Sequence, residues 1–266
     1  SFVKAGDLAR VDLAGIRPDR LPVLPGGLAI LIAVLSELGI AEMRPASGAM
    51  REGLLYDLLG RVHRNDMRDV TVGQFMHRYH VDASQARRVS ALAQSLYSKL
   101  AADERNPDEN TSLYIGWAAK LHEIGISVAY SGYHKHSAYI LEKADMPGFS
   151  RDEQVQLSLL ALAHRRSLKK VFAFLDGAVD WRSVLALRLA ALFYRGRSDV
   201  LLPSFQLKAQ GFRYRLALDT DWLTRNPLTA TALHEEVKEW EKIGFELRVP
   251  GLEEFEAAAE TAMGVQ

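Results

Sequence analysis

Between His80 and Arg197 four long segments carry apolar residues at steps of three and four with polar residues between them: HVDASQARRVSALAQSLYSKLAA, SLYIGWAAKLHEIG, SRDEQVQLSLLALAHRRSLKKVFAFL and DWRSVLALRLAALFYRGR. That period is the signature of one face of an α-helix and fits no strand. Several helices, each apolar on one side, must bury those sides against one another. The centre of the chain, residues 61–200, is therefore predicted to be a helical bundle. Gly125, Gly132 and Pro147 punctuate its connections. Ser150, with Glu153 three positions on, has the spacing of a capping box, and Asp180 stands where an N-cap is needed.

The flanks read differently. In residues 1–60, LPGGLAILIAVLSELGI places Gly26 and Gly27 directly before an apolar helical run, EMRPA reads as a short extended piece, and SGAMREGLLYDLLGR opens a second amphipathic helix. Ser47 is its expected N-cap, with Leu54, Leu55, Leu58 and Leu59 on one face. Two helices and one short strand cannot cover both faces of a sheet, so this part is expected to be the end of an α/β layer whose other strands precede Ser1. In residues 201–266, SFQLKA and FRYRLALD alternate about Gln210-Gly211 as a hairpin would. A helix over TATALHEEVKEWEKIG, a last extended run FELRVP and an acidic, alanine-rich end that frays complete a small α+β part. The expected fold is mainly α, with an α/β tail before the helical part and a small α+β part after it.

Composition excludes some functions. The 33 basic and 33 acidic residues select neither DNA nor a membrane as partner. With no cysteine there are no disulfides or thiolate metal sites. No run of eighteen apolar residues is found, and SFVKAGDLAR lacks the apolar stretch of a signal peptide, so a cytoplasmic location is expected. Charge is uneven along the chain: residues 120–200 hold twelve Lys/Arg against eight Asp/Glu, and residues 203–266 hold seven against eleven. Within HRRSLKK, Arg166, Lys169 and Lys170 would share one side of a helix and form a stripe facing an anion.

The densest chemistry lies in KLHEIGISVAYSGYHKHSAYIL, residues 120–141. His122, His134 and His136, with His164 on the next helix, admit three uses. Neutral imidazoles beside Glu123 could hold a divalent metal and activate water. Charged or neutral, they could help Lys135 and Arg165 grip a phosphate chain. They could also be helix-end histidines bonded to backbone. Tyr130, Tyr133 and Tyr139 flank them and either fill the bundle core or stack on a base. Gly26 and Gly27 at a helix start would let backbone N–H groups approach an anion, with Ser47, Gly48 and Arg51 as helpers; Glu52 and Asp57 read as solvated or paired with Arg51 and Arg61.

The order His122-Glu123, two further histidines in a loop, then His164 resembles the HD superfamily of metal phosphohydrolases. Glu123 stands where that family has aspartate, and the adjacent Arg165 and Arg166 oppose a cation. More extensively, LPGGLAIL, SGAMREGLLYDLLGR and AAKLHEIGISVAYSGYHKHSAYILEKADMPGFSRDEQ resemble the C-terminal half of the exopolyphosphatase/guanosine pentaphosphatase phosphatase family (Ppx/GppA). That resemblance implies the end of the second actin-like (ribonuclease H-like) domain in residues 1–60, an HD-like helical domain in 61–200 and a small C-terminal domain in 201–266. It implies an enzyme that removes terminal phosphate from inorganic polyphosphate or from guanosine pentaphosphate with Mg²⁺, as a homodimer. The family's DxGGGS-like loops and catalytic glutamate have no counterpart here, so no catalytic residue is expected in this chain. The sites it carries are expected to be phosphate-binding: Gly26, Gly27, His134, Lys135, His136, His164, Arg165, Arg166, Lys169 and Lys170, laid out as an electrostatic track for polyphosphate, with a metal at His122 and Glu123 as the competing use. Exopolyphosphatase is the first reading of the function. Guanosine pentaphosphate hydrolysis, an autonomous metal phosphohydrolase and a guanosine-phosphate sensor are the others.

Overall fold

The computed structural model describes residues 18–43, 66–102, 109–169, 171–175 and 180–252. The chain divides into two compact units, residues 1–55 and 56–266.

In the first unit a 3-10 turn, Pro18–Val23, runs into helix α1 (Leu24–Glu37). Pro25 lies in the first turn of α1, where its missing N–H has no intrahelical partner to lose. The helix therefore starts earlier than the apolar run, and Gly26 and Gly27 lie inside its first turn rather than ahead of it. A Cβ at either glycine would meet nothing within 4 Å, so no close approach there requires glycine. Asp19–Glu37 is long and apolar enough, by length and composition, to cross a membrane, a test that core helices of water-soluble domains also pass. The sequence conceals this because Pro22, Pro25, Gly26 and Gly27 interrupt the apolar run. Glu42 and Met43 are not in a strand. The rest of EMRPA, with Ser47, Gly48, Arg51, Glu52, Asp57, Arg61 and the four leucines of the second expected helix, lies outside the described residues, as does the alanine-rich end.

The second unit opens with α2 (Met67–Arg78), α3 (Ala83–Leu100), α4 (Glu109–Leu121), a 3-10 turn (Ile124–Ser127), α5 (Tyr133–Lys143), α6 (Arg151–Ala163), a short α7 (Phe172–Leu175) and α8 (Trp181–Phe193). The helix α3 packs between α4 and α8, and α6 packs between α4 and α5. Their apolar faces meet in a core with Leu96, Ile115, Trp117, Leu121, Leu157 and Leu185 fully buried, each side chain contributing about 1.5–3 kcal/mol by leaving water. Helix starts follow the sequence. The Asp82 carboxylate accepts from the N–H groups of Ser84 and Gln85, both at 3.0 Å, and Asp180 accepts from Arg182 N at 3.1 Å. The Ser150–Glu153 capping box is formed. Glu153 does more than cap, because its Oε1 also accepts from Arg68 Nη1 and from the Tyr114 hydroxyl, each at 2.7 Å, which ties α2 and α4 to the start of α6.

After α8 the chain forms β1 (Gln206–Gln210) antiparallel to β2 (Arg213–Ala217), which pairs in parallel with β3 (Glu246–Arg248). Gln210 pairs with Arg213, leaving Gly211 and Phe212 as a two-residue turn with Gly211 at φ 58°. Glycine at the first of two turn positions with positive φ matches the right-handed twist of the strands. Between β2 and β3 lie α9 (Thr220–Arg225), which periodicity does not announce, and α10 (Pro227–Glu241). Tyr214, Trp240 and Phe245 pack ring on ring, and Trp181 at the start of α8 meets Trp240 at 6.0 Å. The sheet and the bundle thus share one core.

Candidate functional site: a cationic cavity beside a histidine cluster

The site begins where α6 stops. HRRSLKK could continue a helix, yet α6 ends at Ala163 and residues 164–169 are not helical. The cause is Arg188, buried in the middle of α8: its Nη1 donates to Ala163 O at 2.6 Å and its Nη2 to Arg166 O at 3.1 Å. Carbonyls at a helix end have no intrahelical donor, and a guanidinium that supplies one fixes the chain's exit. Arg166 takes a left-handed conformation, φ 69°, and the chain turns away. Arg166 and Lys169, two members of the expected stripe, therefore do not share a helical face. Arg165 and Arg166 reach the wall of a cavity, Lys169 is exposed away from it, and Lys170 lies outside the described residues.

The opposite wall is the start of α5. Gly132, at φ 69°, precedes it, and the 3-10 turn packs so tightly on its first turns that a Cβ on Gly125 would lie 2.2 Å from Tyr133 O. Ser137 joins the two, donating to His122 O at 2.7 Å and accepting from Gly125 N at 2.9 Å. His134 and His136 consequently lie on the first turns of a helix, not in a loop. An added Cβ on Gly125 would also meet His136 Cβ at 2.8 Å, so His136 faces the 3-10 turn and is not among the cavity-lining residues.

The other three histidines converge. Ring centroids of His122 and His164 are 5.0 Å apart and nearly perpendicular, with His134 at 6.4 Å and Tyr133 at 5.5 Å from His164. Nδ1 of His122 lies 2.6 Å from Ala119 O, and Nδ1 of His164 lies 2.6 Å from Ala161 O. A carbonyl only accepts, so both carry the proton on Nδ1. Nε2 of His164 is then left to accept from the Tyr133 hydroxyl at 3.3 Å. Burial pushes the pKa of His122 down and that of His164 well down. His134 is pushed down to about 4, first by burial and then by Arg165, Lys135 and Arg166. All three are neutral near pH 7.

The metal use does not fit these residues. Glu123 Oε2 is 2.7 Å from Arg197 Nη2, and its Oε1 is 3.9 Å from His122 Nε2. Arg197 holds Asp82 as well, at 3.2 Å. Among the described residues, no group of three or more His, Asp or Glu is placed to hold a metal ion. A cation arriving here would have to displace Arg197 and tolerate Arg165 beside the imidazoles.

The cavity encloses about 1000 Å³ between the start of α5, the segment after α6, α8 and α10. Eight Lys/Arg and four Glu line it. Several of these charges are already engaged: Arg188 with Glu236, Arg197 with Glu123, Lys242 with Glu239, and the Arg195 guanidinium with Leu228 O. Among the described residues the side chains of Lys135, Arg166 and Lys238 have no ion pair, and Arg165 engages only Tyr133, through its ring and hydroxyl. Lys135, Arg165 and Arg166 surround His134, Arg165 lies 4.7 Å over the Tyr133 ring, and the start of α5 adds its partial positive charge. The free cations gather on the wall of one cavity and do not run along a helix face. Sequence reading missed Arg188, Arg195, Arg197, Lys238 and Lys242. Only Arg188 had a signal, as the lone cation in the apolar run VLALRLAALF.

The family model of Ppx/GppA phosphatase, domain III, matches residues 67–237, and that of the Ppx/GppA phosphatase family matches residues 1–62. Among curated relatives, the guanosine-5'-triphosphate,3'-diphosphate pyrophosphatase of Pseudoalteromonas translucida is 40% identical over 248 residues, covering 91% of this chain and 49% of the relative. Proteins of the same name from Vibrio cholerae and Aeromonas hydrophila are 35% and 36% identical, covering 92% and 93% of this chain and 50% and 51% of theirs. The chain spans about half the length of the curated relatives it matches.

Proposed function

This chain belongs to the Ppx/GppA phosphatase family, and from that premise we propose that it is a portion of a phosphoanhydride hydrolase whose substrate is guanosine-5'-triphosphate,3'-diphosphate, with the cavity at the start of α5 holding phosphate groups. The observation that carries this reading is the cluster of Lys135, Arg165 and Arg166 around His134. The relatives' name favours the nucleotide over inorganic polyphosphate, which was the first reading of the sequence. The compactness of the patch supports the same preference, because a long polyanion needs cations along its whole length.

In this reading Lys135 and Arg166 make charge-assisted hydrogen bonds to phosphate oxygens, and Arg165 is held in place by the Tyr133 ring. His134, neutral, offers one N–H without adding charge. The chain binds and orients; the residues that break the phosphoanhydride bond belong to the rest of the enzyme. Mg²⁺ and a homodimer are carried into this proposal from the family resemblance alone, and a cytoplasmic location from the sequence reading alone.

Calorimetric titration of the chain with guanosine-5'-triphosphate,3'-diphosphate and with inorganic tripolyphosphate tests it. Lys135→Ala with Arg165→Ala should weaken both at least tenfold in low salt, since charge-assisted bonds are each worth about 1.5–3 kcal/mol. Unchanged affinities for both ligands would remove the cavity from consideration.

A further inference from the structure

We infer that Tyr130 is the platform on which the base of a nucleoside polyphosphate stacks in this cavity, so that the site selects a nucleotide over a bare phosphate chain. The inference rests on the reading above, that Lys135, Arg165 and Arg166 hold phosphate.

Of the three tyrosines in the segment, two are disqualified by their surroundings. Tyr133 is buried, its hydroxyl is bonded to His164 and its ring is covered by Arg165. Tyr139 is exposed but does not line the cavity. Tyr130 lines the cavity with 77% of its surface open to solvent, and its ring lies 6.1 Å from that of Tyr133. A large aromatic left open on a cavity wall has a π-face available to a base, and stacking of this kind accepts any base. The Gly132 turn separates it from Lys135 by only a few residues, which puts an aromatic surface next to the cations.

The opposite charge in the cavity argues the same way. Glu235 lines it, is exposed, and has no hydrogen bond or ion pair among the described residues. A bare phosphate chain filling about 1000 Å³ would have to pass a free carboxylate, which repels it. A neutral base meets no such repulsion from that carboxylate.

The test titrates wild type, Tyr130→Ala and Tyr130→Phe with guanosine-5'-triphosphate,3'-diphosphate and with inorganic tripolyphosphate, beside the Lys135→Ala/Arg165→Ala variant. Tyr130→Ala should weaken nucleotide binding about tenfold and leave tripolyphosphate within about twofold, while Tyr130→Phe, which keeps the ring, should match wild type. The platform is refuted if Tyr130→Ala leaves nucleotide affinity unchanged, weakens both ligands equally, or is matched by Tyr130→Phe. If the cation variant weakens both ligands while Tyr130→Ala changes neither, only the stacking fails. Should the cation variant change neither, or wild type bind no nucleotide, the phosphate reading falls and this inference with it. Because Tyr130 is exposed, thermal unfolding of both tyrosine variants should coincide with wild type.

Discussion

Arg188 and Glu236 lie side by side in the interior, Nε to Oε1 at 2.5 Å and Nη2 to Oε2 at 2.8 Å. The pair is also tied to its surroundings: Glu236 accepts from Trp240 Nε1 at 2.8 Å, and Arg188 closes the end of α6. Removing one partner leaves a buried charge with nothing opposite it. Arg188→Met should cost about 3–5 kcal/mol in urea unfolding, with Arg188→Met/Glu236→Gln recovering a large part, because the remaining group is then neutral. A single variant as stable as wild type would show that the pair does not hold α6, α8 and α10 together.

Acid should weaken the fold before any carboxylate is involved. His122, His134 and His164 have folded-state pKa values below their unfolded ones, so between those values the unfolded chain binds more protons and stability falls as pH drops. The loss begins near pH 6.5 and for His134 runs to about 4, at about 1.4 kcal/mol per pH unit. Asp82, held low by the N–H groups of Gln85 and Ser84 with help from Arg197, and Glu153 and Glu239, lowered against the effect of burial by hydrogen bonds and nearby cations, contribute only below the ordinary carboxylate range. Urea midpoints at pH 7.5, 6 and 5 should therefore decline, and His134→Asn should flatten the decline. A flat profile across that interval contradicts the neutral, buried assignment.

Gly125 is the tightest point of the site. With Tyr133 O 2.2 Å and Ser137 N 2.4 Å from where a Cβ would lie, Gly125→Ala must push the 3-10 turn off α5. Overpacking of this kind costs about 1–3 kcal/mol, and breaking the Ser137 bonds adds to it. The expected result is a lower melting temperature together with weaker phosphate binding, because the same contact positions Lys135 and His134. A variant that melts as wild type does would mean that the turn and helix are free to separate.

Lys169 separates the stripe expected from sequence from the patch found in the fold. It is exposed and does not line the cavity, so Lys169→Ala should leave the affinity for tripolyphosphate unchanged while Lys135→Ala lowers it several-fold in low salt. Equal losses would restore the linear track.

Much of this architecture was legible in the chain because it depends on local physics. Apolar periodicity located α3, α4, α8 and α10, short polar side chains located the caps at Asp180 and Ser150, and alternation about Gly211 located the hairpin. The sequence grouped His122, His134, His136 and His164 as candidates, of which three meet and His136 does not line the cavity, and HRRSLKK was recognised as cationic. None of these signals says what a side chain will meet across the bundle. Whether HRRSLKK continued α6 depended on Arg188, twenty-five residues from Ala163, and on Glu236 a further forty-eight away. Likewise, Glu123 could be a ligand in isolation, but Arg197 from beyond α8 occupies it. Helix period and capping are written within a few residues and are determined by the sequence itself. Partners for charges are chosen where distant segments cross, and in a water-poor interior that choice outweighs local preference because an unpaired buried charge costs more than a broken helix end.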